Sequence, residues 1–77
     1  MIKKEVKIHT EYIKLADLLK FASVVNSGAD AKYLVLEGKV KVNGEISLQR
    51  GRKIYSGMTI TCSYDDEYEI AVSVMQI

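Results

Sequence analysis

Leu15, Leu18, Leu19 and Ala22 recur at spacings of three and four residues, the stripe of an amphipathic helix. The spacing predicts a helix from about Lys14 to Ala22. Ser23 to Ser27 reads as a connection in which Val24 and Val25 tuck inward. Ser27, followed three residues later by Asp30, approximates a capping box. Ala31, Leu34 and Val35 form the next apolar stripe, and Gly38 stands where a left-handed C-terminal residue is wanted. A second helix is expected from about Gly28 to Glu37, with Phe21 in the core.

After Gly38 the period changes to two. Val40 and Val42 alternate with Lys39 and Lys41, then Ile46 and Leu48 alternate with Glu45, Ser47 and Gln49, a hairpin pattern across Asn43-Gly44. A two-residue turn there would set Val42 against Glu45 and Lys41 against Ile46, mixing apolar and charged residues on each face. A three-residue loop, Val42-Asn43-Gly44, with Gly44 in a left-handed bulge, opposes Val40 to Ile46 and Lys41 to Glu45 instead. That loop is therefore predicted. Gln49 to Gly57 reads as a charged loop, and 58–75 as a second hairpin, Met58–Tyr64 and Tyr68–Met75, around Asp65-Asp66-Glu67. Val6 to Thr10, carrying His9, is expected to be an N-terminal strand. These elements predict one α+β domain over residues 1–77.

Composition sharpens this picture. With 77 residues, 48% hydrophobic and 27% charged, the chain suits a small globular domain burying about 60% of its unfolded surface. No apolar run approaches the roughly 18 residues of a membrane span, and the charged start lacks the apolar stretch of a secretory signal, so a cytoplasmic protein with no membrane partner is expected. Net charge is +1, but unevenly spread: residues 1–13 carry +1, residues 14–53 +4 and residues 54–77 −4. A basic middle points to one polyanion-binding face.

The residues offer little for catalysis. His9 is the single histidine, and no nucleophile elbow, phosphate loop or dinucleotide glycine pattern is present. Cys62 has no second cysteine and reads as a small apolar strand residue. The acidic run Asp65-Asp66-Glu67-Glu69 lacks the interleaved spacing of a calcium loop. No enzyme activity, metal or cofactor is expected. The cations are more informative. Lys14 and Lys20 belong to the first helix and Lys32 to the second; Lys39 and Lys41 alternate with valines; Arg50, Arg52 and Lys53 fall within four residues around Gly51. Arg suits bidentate phosphate contacts, and glycine lets a backbone approach closely. The small first turn of helix two, Ser27-Gly28-Ala29, leaves backbone N–H groups open to a phosphate. Tyr12, Tyr33 and Tyr55 can stack on bases or cap the core edge. The same cations also fit a solvated surface.

The runs Lys14-Leu15, Leu18-Leu19, Ser27-x-x-Asp30-Ala31-Lys32 with Leu34-Val35, and Glu37-Gly38-Lys39-Val40-Lys41-Val42-Asn43-Gly44 resemble the S4 RNA-binding domain over about residues 13–60. With Arg50-Gly51-Arg52-Lys53, they are most similar to short stand-alone bacterial S4 proteins. The resemblance implies an S4 (αL-like) fold, two short packed helices against a small, mostly antiparallel sheet. It also implies a basic face for structured RNA, often ribosomal, with Lys14, Ser27, Lys32 and Lys41 in the family's polar and basic places. The chain departs from the family pattern at Ala16, where Asp is usual, at Gly28 and Ala29, where many members carry arginines, and at Ser56-Gly57-Met58 in place of Pro-Gly-Asp. Arg50, Arg52 and Lys53 stand ready to compensate. The competing expectation is a protein-interaction module that offers residues 68–77 as an edge strand.

Overall fold

A computed structural model describes residues 2–63 and 69–77; the acidic turn 65–67 lies outside them. The element order is β1 (Ile2–Ile8), β2 (Tyr12–Lys14), α1 (Leu15–Phe21), α2 (Gly28–Leu36), β3 (Val40–Val42), β4 (Glu45–Ile46), β5 (Lys53–Tyr55), β6 (Thr59–Ser63) and β7 (Glu69–Gln76). Five strands form one sheet in the order β1-β7-β6-β3-β4, and β2 with β5 forms a second ladder. All pairings are antiparallel except β1 with β7. This is the expected α+β arrangement.

Both helices end in the same way. At α1 the Ser23 amide donates to the Lys20 carbonyl at 3.0 Å and the Val24 amide to Leu19 at 3.0 Å; at α2 Gly38 donates to Val35 at 3.1 Å and Lys39 to Leu34 at 3.3 Å. Each is a Schellman motif, in which a left-handed residue satisfies the last carbonyls. Gly38 takes that conformation at φ 74°, and Ser23 takes it at φ 59° without glycine's freedom. Val24, buried behind Ser23, anchors the chain there. At the start of α2 the Asp30 amide donates to the Ser27 hydroxyl oxygen at 3.2 Å, the predicted cap.

The helices bury Leu15, Leu18, Leu19, Ala22, Ala31, Leu34 and Val35 against Val40, Val42, Ile60, Cys62, Ile70, Val72 and Val74 of the sheet. Each fully buried aliphatic side chain contributes roughly 1.5–3 kcal/mol. Alternation sends the intervening strand residues to the opposite sheet face. Lys3, Ala71, Thr61 and Lys41 lie in register across that face, which no helix among the described residues covers.

Several expectations are corrected. The β3–β4 connection is the two-residue turn: Val42 pairs with Glu45 and Lys41 with Ile46, with φ of 50° at Asn43 and 88° at Gly44. The Asn43 side-chain oxygen accepts the Thr59 amide at 2.9 Å, and the Asn43 amide donates to the Thr59 carbonyl at 2.8 Å. Those bonds to β6 fix Asn43 in place, and a turn of this hand matches the strand twist. The three-residue loop would need Ile46 and Leu48 in the core. They are 59% and 57% exposed, while Ser47 is buried, its amide donating to Val40 at 3.0 Å. Phe21 is 73% exposed rather than core, since Leu18, Leu19 and Ala22 already fill the inward arc of α1. Lys53–Tyr55, read as loop, is a strand with Ile54 fully buried. The N-terminal strand runs Ile2–Ile8 and leaves His9 and Thr10 in a bend. Finally, β7 is no edge. It lies between β1 and β6, and the Gly57 amide reaches the Val74 carbonyl at 2.9 Å beyond the end of the β6 ladder, so the C-terminal strand has no free side to offer a partner.

The Ser56-Gly57-Met58 departure still makes a turn. Gly57 has φ 90°, the Tyr55 amide donates to the Met58 sulfur at 3.2 Å, and the Met58 amide donates to the Tyr55 carbonyl at 3.2 Å.

Two predictions arise from this packing. Ser23→Gly relieves a left-handed L-residue, less the entropy glycine loses on folding, and should stabilise the protein by about 0.5–1 kcal/mol in urea unfolding. Cys62 is buried, which pushes its thiol up to about 11. Its protonated form is favoured in the folded state, so the linked stability is full below the unfolded thiol's pKa and is lost as pH rises through about 11. Thiol labelling at neutral pH should be slow in the native protein and fast in denaturant.

Candidate nucleic-acid interface

The start of α1 organises this site. Its N-cap residue, Lys14, is extended and makes no side-chain cap bond, because a lysine has no acceptor to offer. The first helical amides therefore need other partners. They find them in the chain 35 residues or so further on: Leu15 donates to the Arg52 carbonyl and Ala16 to the Arg50 carbonyl, both at 2.9 Å. The Arg52 amide closes a turn onto Gln49 at 3.2 Å. The basic loop is thereby fastened by its backbone, and its cationic side chains remain exposed at Arg50 and Lys53 and half-buried at Arg52.

The ladder then continues with Lys14 opposite Lys53, Ile13 opposite Ile54 and Tyr12 opposite Tyr55. Ile54 turns into the core, so alternation puts Lys14, Lys53, Tyr12 and Tyr55 on one outward face. The two tyrosine rings sit 5.9 Å apart, tilted by 52°, and the Lys53 ammonium lies 4.9 Å from the centre of the Tyr12 ring. Among the described residues no carboxylate pairs with Lys14, Arg50, Arg52 or Lys53. Like charges directly opposite one another destabilise a ladder. This face accepts that cost.

The other sequence-predicted residues lie elsewhere or are engaged. Lys20 pairs with Asp17 at 3.4 Å and Lys39 with Glu37 at 3.1 Å, exposed contacts worth little. Lys32 is exposed on α2. The Ser27 hydroxyl oxygen is occupied as the helix cap, and Asp30 in the first turn already supplies negative charge to that helix end. Lys41 leaves the sheet on the face turned away from the helices, since Val40 and Val42 point to the core. The expected single face is thus divided, with Lys14, Arg50, Arg52 and Lys53 together and Lys41 across the sheet.

Sequence reasoning missed the ring cluster and a groove beside it. The cluster had a signal: Tyr12-Ile13-Lys14 and Lys53-Ile54-Tyr55 are reversed copies, matched as antiparallel partners. The groove, of about 570 Å³, runs between α1 and the end of β1, with Val6, Ile8, Ile13 and Phe21 as its apolar lining and Lys7, Lys14 and Asp17 among its charged residues.

The family model of the S4 domain matches residues 6–71. The chain belongs to the S4 domain family. This S4 domain is 46% identical over 52 residues to the probable ribosome maturation protein RlbA of Bacillus subtilis, covering 68% of this chain and 73% of that protein. It is 40% identical over 50 residues to the putative RNA-binding protein YbcJ of Escherichia coli, covering 65% and 71%. Among the described residues of this S4 domain, no three of His, Cys, Asp and Glu gather as a metal site, and no helix is long and apolar enough to cross a membrane.

Proposed function

We propose that this S4 domain is a non-catalytic RNA-binding protein that grips a structured RNA, ribosomal in context, by its phosphates. The observation that carries the reading is the Lys14–Lys53 pair, flanked by Arg50 and Arg52 on a backbone-fastened loop. Four cations without carboxylate partners among the described residues are held close to one another, and a polyanion relieves their repulsion while releasing its own counterions. Tyr12 and Tyr55 beside them offer rings to bases or sugars. A-form RNA suits such a face because its deep major groove hides base edges and leaves phosphates and 2′-hydroxyls to be read. The printed names of the B. subtilis and E. coli relatives, a probable ribosome maturation protein and a putative RNA-binding protein, support the same reading. Lys20, Lys32, Lys39 and Lys41 contribute to the general field.

The test is fluorescence anisotropy against ribosomal RNA hairpins and matched duplex DNA across a salt series. Four phosphates neutralised give a slope of log K against log salt of about −2.8 to −3.6. Arg50→Glu/Arg52→Glu should weaken RNA binding by at least about tenfold and flatten that slope by about 2. Equal affinity and slope in the variant, or equal binding to DNA, contradicts the reading.

A further inference from the structure

We infer that the groove between α1 and the end of β1 is a pocket for one unpaired nucleotide, its base laid against Phe21. The inference rests on the RNA-binding reading and specifies which RNA feature is sought: a duplex that carries an extruded or bulged base.

Phe21 is the starting observation. It is 73% exposed, an unusual place for the chain's single phenylalanine, and burial against the core does not explain it. It stands four residues after Asp17, so both side chains lie on the same outer face of α1. Opposite them, Ile8 and Val6 close the groove from β1 and Ile13 from β2. The volume, about 570 Å³, falls in the range of pockets that enclose small ligands.

Charge selects the occupant. Lys14 rims the apolar lining, Tyr12 belongs to both groove and cation cluster, and the Lys53 ammonium lies 4.9 Å from the centre of that ring. Such a site fits a flat apolar ring joined to an anion, which is a nucleotide. Lys14 and Tyr12 belong to both groove and phosphate-gripping face, so an RNA held by Lys14, Arg50, Arg52 and Lys53 passes the groove mouth. The single acid lining the groove, Asp17, pairs with Lys20 at 3.4 Å in an exposed contact that a ligand can displace, and its carboxylate accepts hydrogen bonds only. It therefore favours a base edge rich in donors, guanine above all, and disfavours uracil, whose one ring N–H is flanked by two carbonyls.

The experiment compares anisotropy titrations of a fully paired RNA hairpin, the same hairpin with a one-guanosine bulge, and the hairpin with an abasic bulge. Base-on-aromatic stacking multiplies affinity by about five to a hundred. The wild-type protein should prefer the guanosine bulge by about tenfold over both others. Phe21→Ala, a surface change that leaves the core intact, should bind all three alike, at the wild-type affinity for the paired hairpin. Equal wild-type binding to all three hairpins overturns the groove while leaving the RNA-binding reading standing, as does a preference that survives in Phe21→Ala or extends to the abasic bulge. Failure to bind any hairpin overturns both.

Discussion

The amides of Leu15 and Ala16 hold the carbonyls of Arg52 and Arg50, and the rest of the site depends on these two bonds. A helix that begins with a lysine and no side-chain cap leaves donors that must be met from elsewhere. Meeting them with main-chain carbonyls from the 49–53 loop does two things at once. It ends the exposure of the helix terminus, and it sets the register in which Lys53, Ile54 and Tyr55 pair with Lys14, Ile13 and Tyr12. Ile54 then fills the core, and the cations on either side of it are left outward. Fold and candidate site are therefore one arrangement: the loop cannot leave the helix without withdrawing Ile54 from the apolar cluster.

The same arrangement gives the molecule two unlike surfaces. On the helical side, a cluster of four cations adjoins two tyrosines and an aromatic groove. On the other side, the bare sheet presents Lys3, Thr61, Ala71 and Lys41 in a row, mixed with Glu5 and Glu69, which suits contact with water. Interposing the sheet between Lys41 and the cluster matters because long-range attraction sums over all cations, whereas direct phosphate contacts belong to the side chains that share a face.

Much of this was legible in the chain. The helices were, because Leu15, Leu18, Leu19 and Ala22, then Ala31, Leu34 and Val35, have a strong period and clear ends. The basic loop was legible as composition. What was not legible came from places where tertiary partners outweigh local pattern. Ile46 and Leu48 alternate as a buried strand does, yet β4 is a two-residue edge whose register is set by Asn43 binding Thr59, sixteen residues away. Lys53-Ile54-Tyr55 is too short to read as a strand until Tyr12-Ile13-Lys14 is recognised as its mirror. Phe21 looked like core because aromatic residues are heavy apolar ones, but the inward arc of α1 was already full. Parallel pairing of β1 with β7 was hidden because those strands lie at opposite ends of the chain, and it removed the edge that the protein-interaction reading required.

Amide chemical-shift mapping of the isotope-labelled protein with a ribosomal RNA hairpin shows which face the RNA occupies. The largest perturbations should fall on residues 12–21 and 50–55, with the Leu15 and Ala16 amides among them and the row Lys3, Thr61, Ala71 and Lys41 nearly still. Perturbations centred on that outer sheet face, or on β1 and β4, with 12–21 and 50–55 unmoved, would contradict that placement.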